Sequence, residues 1–421
     1  MSLSLALYRV VLPLYVGLAL PGWLWKMARR GGFGSGLGER ATLYDCDAEF
    51  EPSGVVHVHS VSVGETMLAL KLIRAWRERD PAAEFVLAVG TATGHAVARE
   101  AALDLVRVVY QPVDFRCMVH RYLERFSPSQ IVLVEGEMWP NLMAESARRK
   151  IPVQLVNARI SPRSKKRFRR FASFVQPVFS QLAGVAVQEE EDAPIWSELG
   201  VDAERVVTTG SLKFDPGAEV SLRLRDEFVT MLDACRGTRP VVLAASTHAG
   251  EEEWIGRAVR ESGGFFLCVP RHAERRADVR AALEREGFEV ILRSAFRPPA
   301  DAGACCLVVD STGELRDWTV SADVVVIGKS FLGIGGQNPA EAVLAGKPLV
   351  FGPHMENFEP LASRLVAVGG ATRVADAEVL SAILREWLES PERAGQGTAE
   401  AARILDRHRG ATGRILDFLN A

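Results

Sequence analysis

The chain has 421 residues, enough for two ordinary domains with a core each. A formal net charge of -3 excludes wholesale nucleic-acid binding, which needs a strong basic excess. Six cysteines, Cys46, Cys117, Cys235, Cys268, Cys305 and Cys306, show no CxxC or Cys/His spacing of a zinc site, and they read as reduced, buried thiols of a protein facing the cytosol.

From Leu3 to Trp25 the chain is almost entirely apolar, interrupted by Arg9, Pro13 and Pro21, and it runs into Trp23, Trp25, Lys26, Arg29 and Arg30. About 20 apolar residues cross a bilayer, and a tryptophan pair followed by basic residues suits its interface. No small-residue cleavage site precedes the basic cluster, so residues 1–30 predict a retained membrane anchor. The positive charge after the segment places the main body in the cytoplasm. Arg9 and the two prolines leave a second arrangement open, a helix lying in the interface.

The stretch Val55–Leu72 opens with alternating apolar residues, passes through Ser60, Ser62 and Gly64, and turns helical after Glu65. In an open α/β sheet, ligands sit where strands run into such loops. Glu65 then stands on a first helical turn, where the dipole favours a carboxylate; a helix-start role alone is the other reading.

Strand-like segments follow at Glu84–Val89, Val106–Tyr110, Gln130–Val134, Pro152–Asn157, Gly184–Gln188 and Val206–Thr209. Helix-like stretches such as Thr66–Arg79 and Asn141–Arg149 separate most of them, which is the rhythm of a parallel, doubly wound sheet. After Pro216-Gly217 the pattern weakens, and a second series begins at Pro240, with strands at Phe265–Val269, Glu289–Leu292, Cys305–Val309, Asp323–Ile327 and Pro348–Phe351. The α/β fold expected is therefore two Rossmann-like domains, 38–215 and 239–421, joined by a linker at 216–238 and separated by a cleft.

Several strand ends carry chemistry. Glu135 and Glu137 follow a buried strand directly, which is costly unless they have partners or work; a helix cap near Asn141 explains Glu137 more easily than Glu135. Lys213 lies at the hinge between the halves. In the second half, Gly328–Glu341 is a glycine-rich loop running into a helix at Pro339, an anion site suited to a phosphate, yet neither a dinucleotide GxGxxG nor a P-loop. Glu341 is placed to accept hydrogen bonds from ribose hydroxyls. With Arg271 and Thr312-Gly313-Glu314 after neighbouring strands, the loop points to a nucleotide. The segment Pro162–Phe174 holds six basic residues interleaved with Phe168, Phe171 and Phe174; it is either a surface for anionic headgroups or a solvated helix with its aromatic face in the core.

HSVSVGE, EGEMWPN, NARIS, GSLKFD, STHAGEE, VPRHAER, GGQNPAE and GPHMENF occur in the order found in the 3-deoxy-D-manno-oct-2-ulosonic acid (Kdo) transferases of the lipid A pathway. The resemblance covers roughly Gly38 to Asn357 and the apolar anchor. It implies a GT-B glycosyltransferase of the inner membrane with an acceptor-binding first domain and a nucleotide-binding second one, CMP-Kdo as donor and a tetraacylated lipid A precursor as acceptor. Glu65 resembles the catalytic proton acceptor, and Glu135 and Lys213 resemble groups that stabilise the transition state. Pro270, Arg271, Thr312, Gly313, Glu314, Asn338, Pro339, Ala340 and Glu341 resemble the CMP contacts. Gln337, Gly136, Thr312 and Ala273 depart from the commonest family residues, histidine, threonine, methionine and proline; the first and third of these border the nucleotide loop. No DxD-like pair stands ready for a divalent metal, so a metal-independent reaction without further cofactor is expected. A transferase for another nucleotide sugar and an inactive, membrane-anchored sugar-binding protein are the alternatives.

Overall fold

The computed structural model describes residues 2–29, 36–44, 52–136, 138–160, 162–215, 224–300 and 302–421. Arg30, Cys46, Glu137, Pro216 and Gly217 lie outside them, as do the side chains of Trp23, Lys26, Arg29 and Arg163. The chain divides into two compact units, Met1–Gly217 with His408–Ala421, and Ala218–Arg407.

The first unit opens with a long helix α1 (Leu3–Arg29) and a single turn α2 (Leu37–Arg40). A βα series follows: β1 (Val56–Ser60), α3 (Val63–Arg79), β2 (Phe85–Val89), α4 (Ala92–Glu100), β3 (Val106–Tyr110) and α5 (Arg116–Phe126). It continues with β4 (Gln130–Val134), α6 (Pro140–Arg148), β5 (Val153–Ala158), α7 (Pro162–Arg170), α8 (Ala172–Phe179), β6 (Gly184–Val187), α9 (Ala193–Glu198) and β7 (Val206–Thr208). The strands form one parallel sheet in the order β3-β2-β1-β4-β5-β6-β7. β2 is buried at every position, as a strand covered by helices on both faces must be. Chain order reverses between β1 and β4, which pair directly from Val56↔Gln130 to His59↔Leu133. In doubly wound sheets that reversal opens the ligand crevice.

The second unit repeats the plan with α10 (Asp226–Arg236), β8 (Val241–Thr247), α11 (Glu251–Glu261), β9 (Phe265–Pro270), α12 (Arg276–Arg285), β10 (Glu289–Leu292) and β11 (Cys305–Val308). Then come α13 (Leu315–Val320), β12 (Val324–Ile327), α14 (Ala340–Leu344), β13 (Leu349–Phe351), α15 (Leu361–Ala367), β14 (Ala371–Arg373), α16 (Ala377–Glu389), α17 (Pro391–Ala394) and α18 (Thr398–Asp406). Its sheet runs β10-β11-β9-β8-β12-β13-β14, with the reversal between β8 and β12.

The last helix, α19 (Ala411–Leu419), corrects the expected boundary of a second domain reaching residue 421. Ile415, Leu416 and Leu419 pack in the first unit's core with Leu70 and Leu72. The Asp215 carboxylate accepts the N–H groups of Gly410 at 3.0 Å and Thr412 at 2.7 Å, fastening the helix start. Gly184 lets Phe418 approach so closely that a Cβ there would stand 2.6 Å from its ring. Hydrophobic burial, not sequence proximity, decides where this segment belongs.

Two other expectations are revised. Cys117 is exposed on α5, whereas Cys235, Cys268, Cys305 and Cys306 are free and buried. The segment Pro162–Phe174 is two helices that break at Phe171, with Phe168 packed against the core and Phe171 and Phe174 exposed. Within it, Arg169 is held by Glu198 at 2.6 and 2.7 Å. Arg9, the charge in the apolar segment, is likewise engaged: its Nε donates to Asn141 Oδ1 at 2.7 Å and its guanidinium lies 3.8 Å from Glu145. Beside it, the Tyr8 hydroxyl donates to Asp114 at 2.9 Å. The opposite face of α1 carries Leu3, Val10, Leu14 and Leu18, each more than 60% exposed. Leu3–Gly22 is long and apolar enough to cross a membrane.

Candidate functional site

The two carboxylates singled out in the first unit emerge from the paired strands at its reversal point. Ser62 is the N-cap of α3, accepting the Glu65 N–H at 3.3 Å and donating its hydroxyl back to Glu65 Oε1 at 2.8 Å. The other carboxylate oxygen accepts the Val61 N–H at 2.8 Å. The helix-start role is thus real, and it fixes the carboxylate's direction while each oxygen keeps a further lone pair. The loop is braced from β2: Thr91 donates to the Val61 carbonyl at 2.8 Å, and a Cβ at Gly94 would stand 2.9 Å from the Thr66 hydroxyl oxygen.

Glu135 directly follows β4 in a left-handed conformation, φ 69°, which a non-glycine residue adopts at a cost. Its backbone is held on both sides, by Glu135 N–H to Val156 O at 2.9 Å and Arg159 N–H to Glu135 O at 3.1 Å. Burial pushes its carboxyl above the usual carboxylate range, and the charge of Glu65 adds to this; Lys213, Arg159 and a hydrogen bond from Asn157 pull the other way. For Lys213, burial lowers the ammonium pKa, opposed by Glu135 and reinforced by Arg159. Both shifts have one cause, a half-buried place where desolvation outweighs mutual attraction. The structure therefore brings Glu65, Glu135 and Lys213 together, and adds Arg159 and Asn157, which sequence reasoning assigned no role. Their sequence signal is the motif NARIS, which carries both residues at the end of β5 without saying what either does.

Glu65, Glu135 and Arg159 line a cavity of about 830 Å³ in the first unit. Most of the remaining lining is apolar and comes from α1, α7, α8 and α9, with Arg167, Ser4 and Ser164 as further polar members.

In the second unit the nucleotide candidates also gather at strand ends around the reversal point. Pro270 closes β9, and the Arg271 N–H bonds the Thr247 carbonyl at 3.0 Å, leaving an exposed guanidinium. Glu251, fully buried, accepts the N–H groups of His248, Lys329 and Phe331 at 3.0, 2.6 and 3.2 Å, so one carboxylate shapes the loops after β8 and β12 together. Ser246 and Lys329 are left-handed there, with φ 56° and 53°. Gln337 lies 3.2 Å from His248 Nε2, so the departure at this position keeps a polar partner. Thr312 and Gly313 are exposed. Burial alone would push the Glu314 carboxyl up, yet bonds from Ser311 and the neighbouring Arg293 hold it below the usual range. Its carboxylate is committed to Ser311, Arg293 and Arg225, leaving the turn's backbone as the presenting surface.

Asn338 is exposed and accepts the Ala340 N–H at 3.1 Å. Pro339 caps α14 and Ala340 begins it, both buried. This helix has only five residues, so its free amides matter more here than an accumulated dipole. Glu341 lies 3.6 Å from Arg316, while its Oε2 is buried without a hydrogen-bond partner among the described residues. Burial raises its pKa, with Arg316 and Arg271 opposing. An orphaned buried acceptor costs free energy until a donor arrives, and a ribose hydroxyl is a fitting donor. Among the described residues, no group of three or more His, Cys, Asp or Glu is placed to hold a metal ion.

Comparison with known proteins bears on both units. A family model described as 3-deoxy-D-manno-octulosonic-acid transferase (kdotransferase) matches residues 35–216. The chain is 32% identical over 396 residues to a 3-deoxy-D-manno-octulosonic acid transferase of Haemophilus influenzae, covering 91% of this chain and 90% of that protein. Against the Bordetella pertussis transferase the figures are 34% over 414 residues, 94% and 94%. Among solved structures, the UDP-GlcNAc 2-epimerase from Neisseria meningitidis bound to UDP-GlcNAc superposes with a TM-score of 0.56 at 13% identity, over 87% of this chain and 99% of that one. That last likeness is one of fold alone.

Proposed function

The chain belongs to the 3-deoxy-D-manno-octulosonic acid transferase family, and from that premise we propose that it is an inverting, membrane-associated GT-B glycosyltransferase moving Kdo from CMP-Kdo to a lipid A precursor in lipopolysaccharide synthesis. The observation that carries this reading is the shared lining of one cavity by Glu65 and Glu135, with Lys213 within electrostatic reach.

An acceptor hydroxyl is a poor nucleophile near neutral pH, and a fixed carboxylate can take its proton as the new bond forms. Glu65 is that base: the acceptor oxygen bonds to the anomeric carbon, the bond from that carbon to the CMP phosphate breaks, and the electron pair leaves on the phosphate. Attack opposite the leaving group inverts the centre, so no second nucleophilic carboxylate is needed. Glu135 faces the positive charge that develops on the sugar ring. Lys213 and Arg271 offset the charge on the departing phosphate. The donor's nucleotide is held by Pro270, Arg271, the turn Thr312-Gly313-Glu314 and the loop Asn338–Glu341, with Glu341 on the ribose. These cations take the place of a divalent metal, so activity survives excess chelator. The apolar helix α1 attaches the enzyme to the cytoplasmic leaflet of the inner membrane.

The test is transfer from CMP-Kdo, generated in situ, to a tetraacylated lipid A precursor, with products read by mass. Stepwise gains of one Kdo mass are the expected result. A folded protein that binds CMP yet transfers nothing overturns the assignment.

A further inference from the structure

The cavity of the first unit mixes two chemistries. Glu65, Glu135, Arg159 and Arg167 are its charged members; most of the remainder is apolar, including Leu7, Val11, Phe168, Val175, Phe179 and Trp196. Such a volume, about 830 Å³, is far more than one transferred proton needs and lies in the range of bound organic ligands. Trp196 is 1% exposed, and its indole N–H has no hydrogen-bond partner among the described residues.

Part of this wall is the N-terminal helix. Leu7, Tyr8 and Val11 of α1 line the cavity, and the helix is held there by polar bonds rather than by apolar contact alone. Asp114 accepts the Tyr8 hydroxyl at 2.9 Å and the N–H groups of Asn141 and Leu142, each at 2.9 Å, so one carboxylate joins α1 to the start of α6. Arg9 adds its bond to Asn141. The outward stripe of Leu3, Val10, Leu14 and Leu18 is bare, continuing an apolar surface from the cavity wall to the outside. Arg167 of α7 lines the cavity itself, and Lys165 and Lys166 precede it on the same helix, so anionic headgroup atoms would meet positive charge there.

We propose that this cavity holds one acyl chain of the lipid acceptor, with α1 as its wall, so that the helix is part of the substrate site and not an anchor alone. The inference rests on the reading above that the acceptor is a lipid. A chain seated along α1 sets the depth at which the acceptor's hydroxyl meets Glu65. Losing the chain's seat then weakens acceptor binding without touching the donor.

The test fills the cavity from its apolar side, with Val175→Trp on α8 and Leu7→Trp on α1, and loosens α1 without filling it, with Tyr8→Phe combined with Arg9→Gln. KM is measured for the tetraacylated acceptor, for its fully deacylated counterpart and for CMP-Kdo, alongside the melting temperature. Displacing about two methylenes from an apolar seat raises KM for the acylated acceptor about tenfold. KM for CMP-Kdo and the rate on the deacylated acceptor stay at the wild-type values. Equal effects on both acceptors, or none in variants that melt like the wild type, overturn the proposal. So does competition by phosphatidylglycerol micelles as strong as by the acceptor itself, which marks a general lipid seat. Failure of the wild type on both acceptors removes the functional reading and this inference with it, an outcome distinct from any shown by the variants.

Discussion

Asn157 donates its side-chain amide to Glu135 Oε1 at 3.3 Å while its own side-chain oxygen accepts the Leu212 N–H at 2.9 Å. One fully buried amide therefore ties the cavity carboxylate to the residue preceding Lys213. Its left-handed backbone, φ 53°, is tolerated by asparagine better than by most residues. Asn157→Leu leaves the Leu212 N–H buried without this acceptor, costing about 1–3 kcal/mol, which thermal melting reads directly. Asn157→Asp keeps that acceptor but sets a second carboxylate against Glu135; it should melt closer to wild type and lose turnover disproportionately. A variant that melts and turns over like the wild type contradicts this coupling.

The raised pKa of Glu135 has a sign that stability measurements can check. Burial and the Glu65 charge make the fold prefer its protonated form. The contribution is fully present below the carboxyl's unfolded pKa and is lost as pH rises through the higher folded value. Glu135→Gln cannot ionise, so its melting temperature relative to wild type should climb as pH rises out of the ordinary carboxylate range. Lys213→Met removes a group that pulls the Glu135 pKa down, and the acid limb of its residual kcat/KM should move to higher pH. A melting difference that shrinks as pH rises would contradict the electrostatic account.

Gly336 lies in the nucleotide loop with φ 69°, and a Cβ there would stand 2.5 Å from Met355 Sδ and 3.0 Å from the His354 carbonyl oxygen. Gly336→Ala must push the loop off its support, a strain of about 1–3 kcal/mol. CMP affinity, measured by titration calorimetry, should fall about tenfold while the first unit's melting is unaffected. Unaltered affinity would place the nucleotide elsewhere.

Much of this architecture was legible because parallel strands covered on both faces are short apolar runs, and the expected strands from β1 to β13 fall within a residue or two of those observed. The carboxylates were legible for a related reason, since Glu135 follows an apolar strand directly and Glu65 stands on the first helical turn after another. What was not legible depends on contacts far apart in the chain. Nothing local to Ala411–Leu419 says that it packs under the first sheet, nor does Asn157 announce a bond to a loop 55 residues away. β14 is Ala371-Thr372-Arg373, not an apolar run like β13, so it carries no strand signal of its own. Arg9 looked like a fault in a membrane helix, and only the fold supplies Asn141 and Glu145 to meet it.

In the proposed reaction Glu65 takes the acceptor's proton. Because Glu65 also caps α3 through Val61 and Ser62, alanine would confuse the loss of a base with the loss of a cap; Glu65→Gln retains an acceptor oxygen for Val61 but cannot serve as the base. The decisive measurement is Kdo transfer to the tetraacylated acceptor by wild type and Glu65→Gln, products read by mass and CMP binding verified in both. Stepwise Kdo additions by the wild type are expected, with turnover reduced by a factor of at least about a hundred in the variant. Wild-type turnover by Glu65→Gln would reduce this carboxylate to the start of a helix.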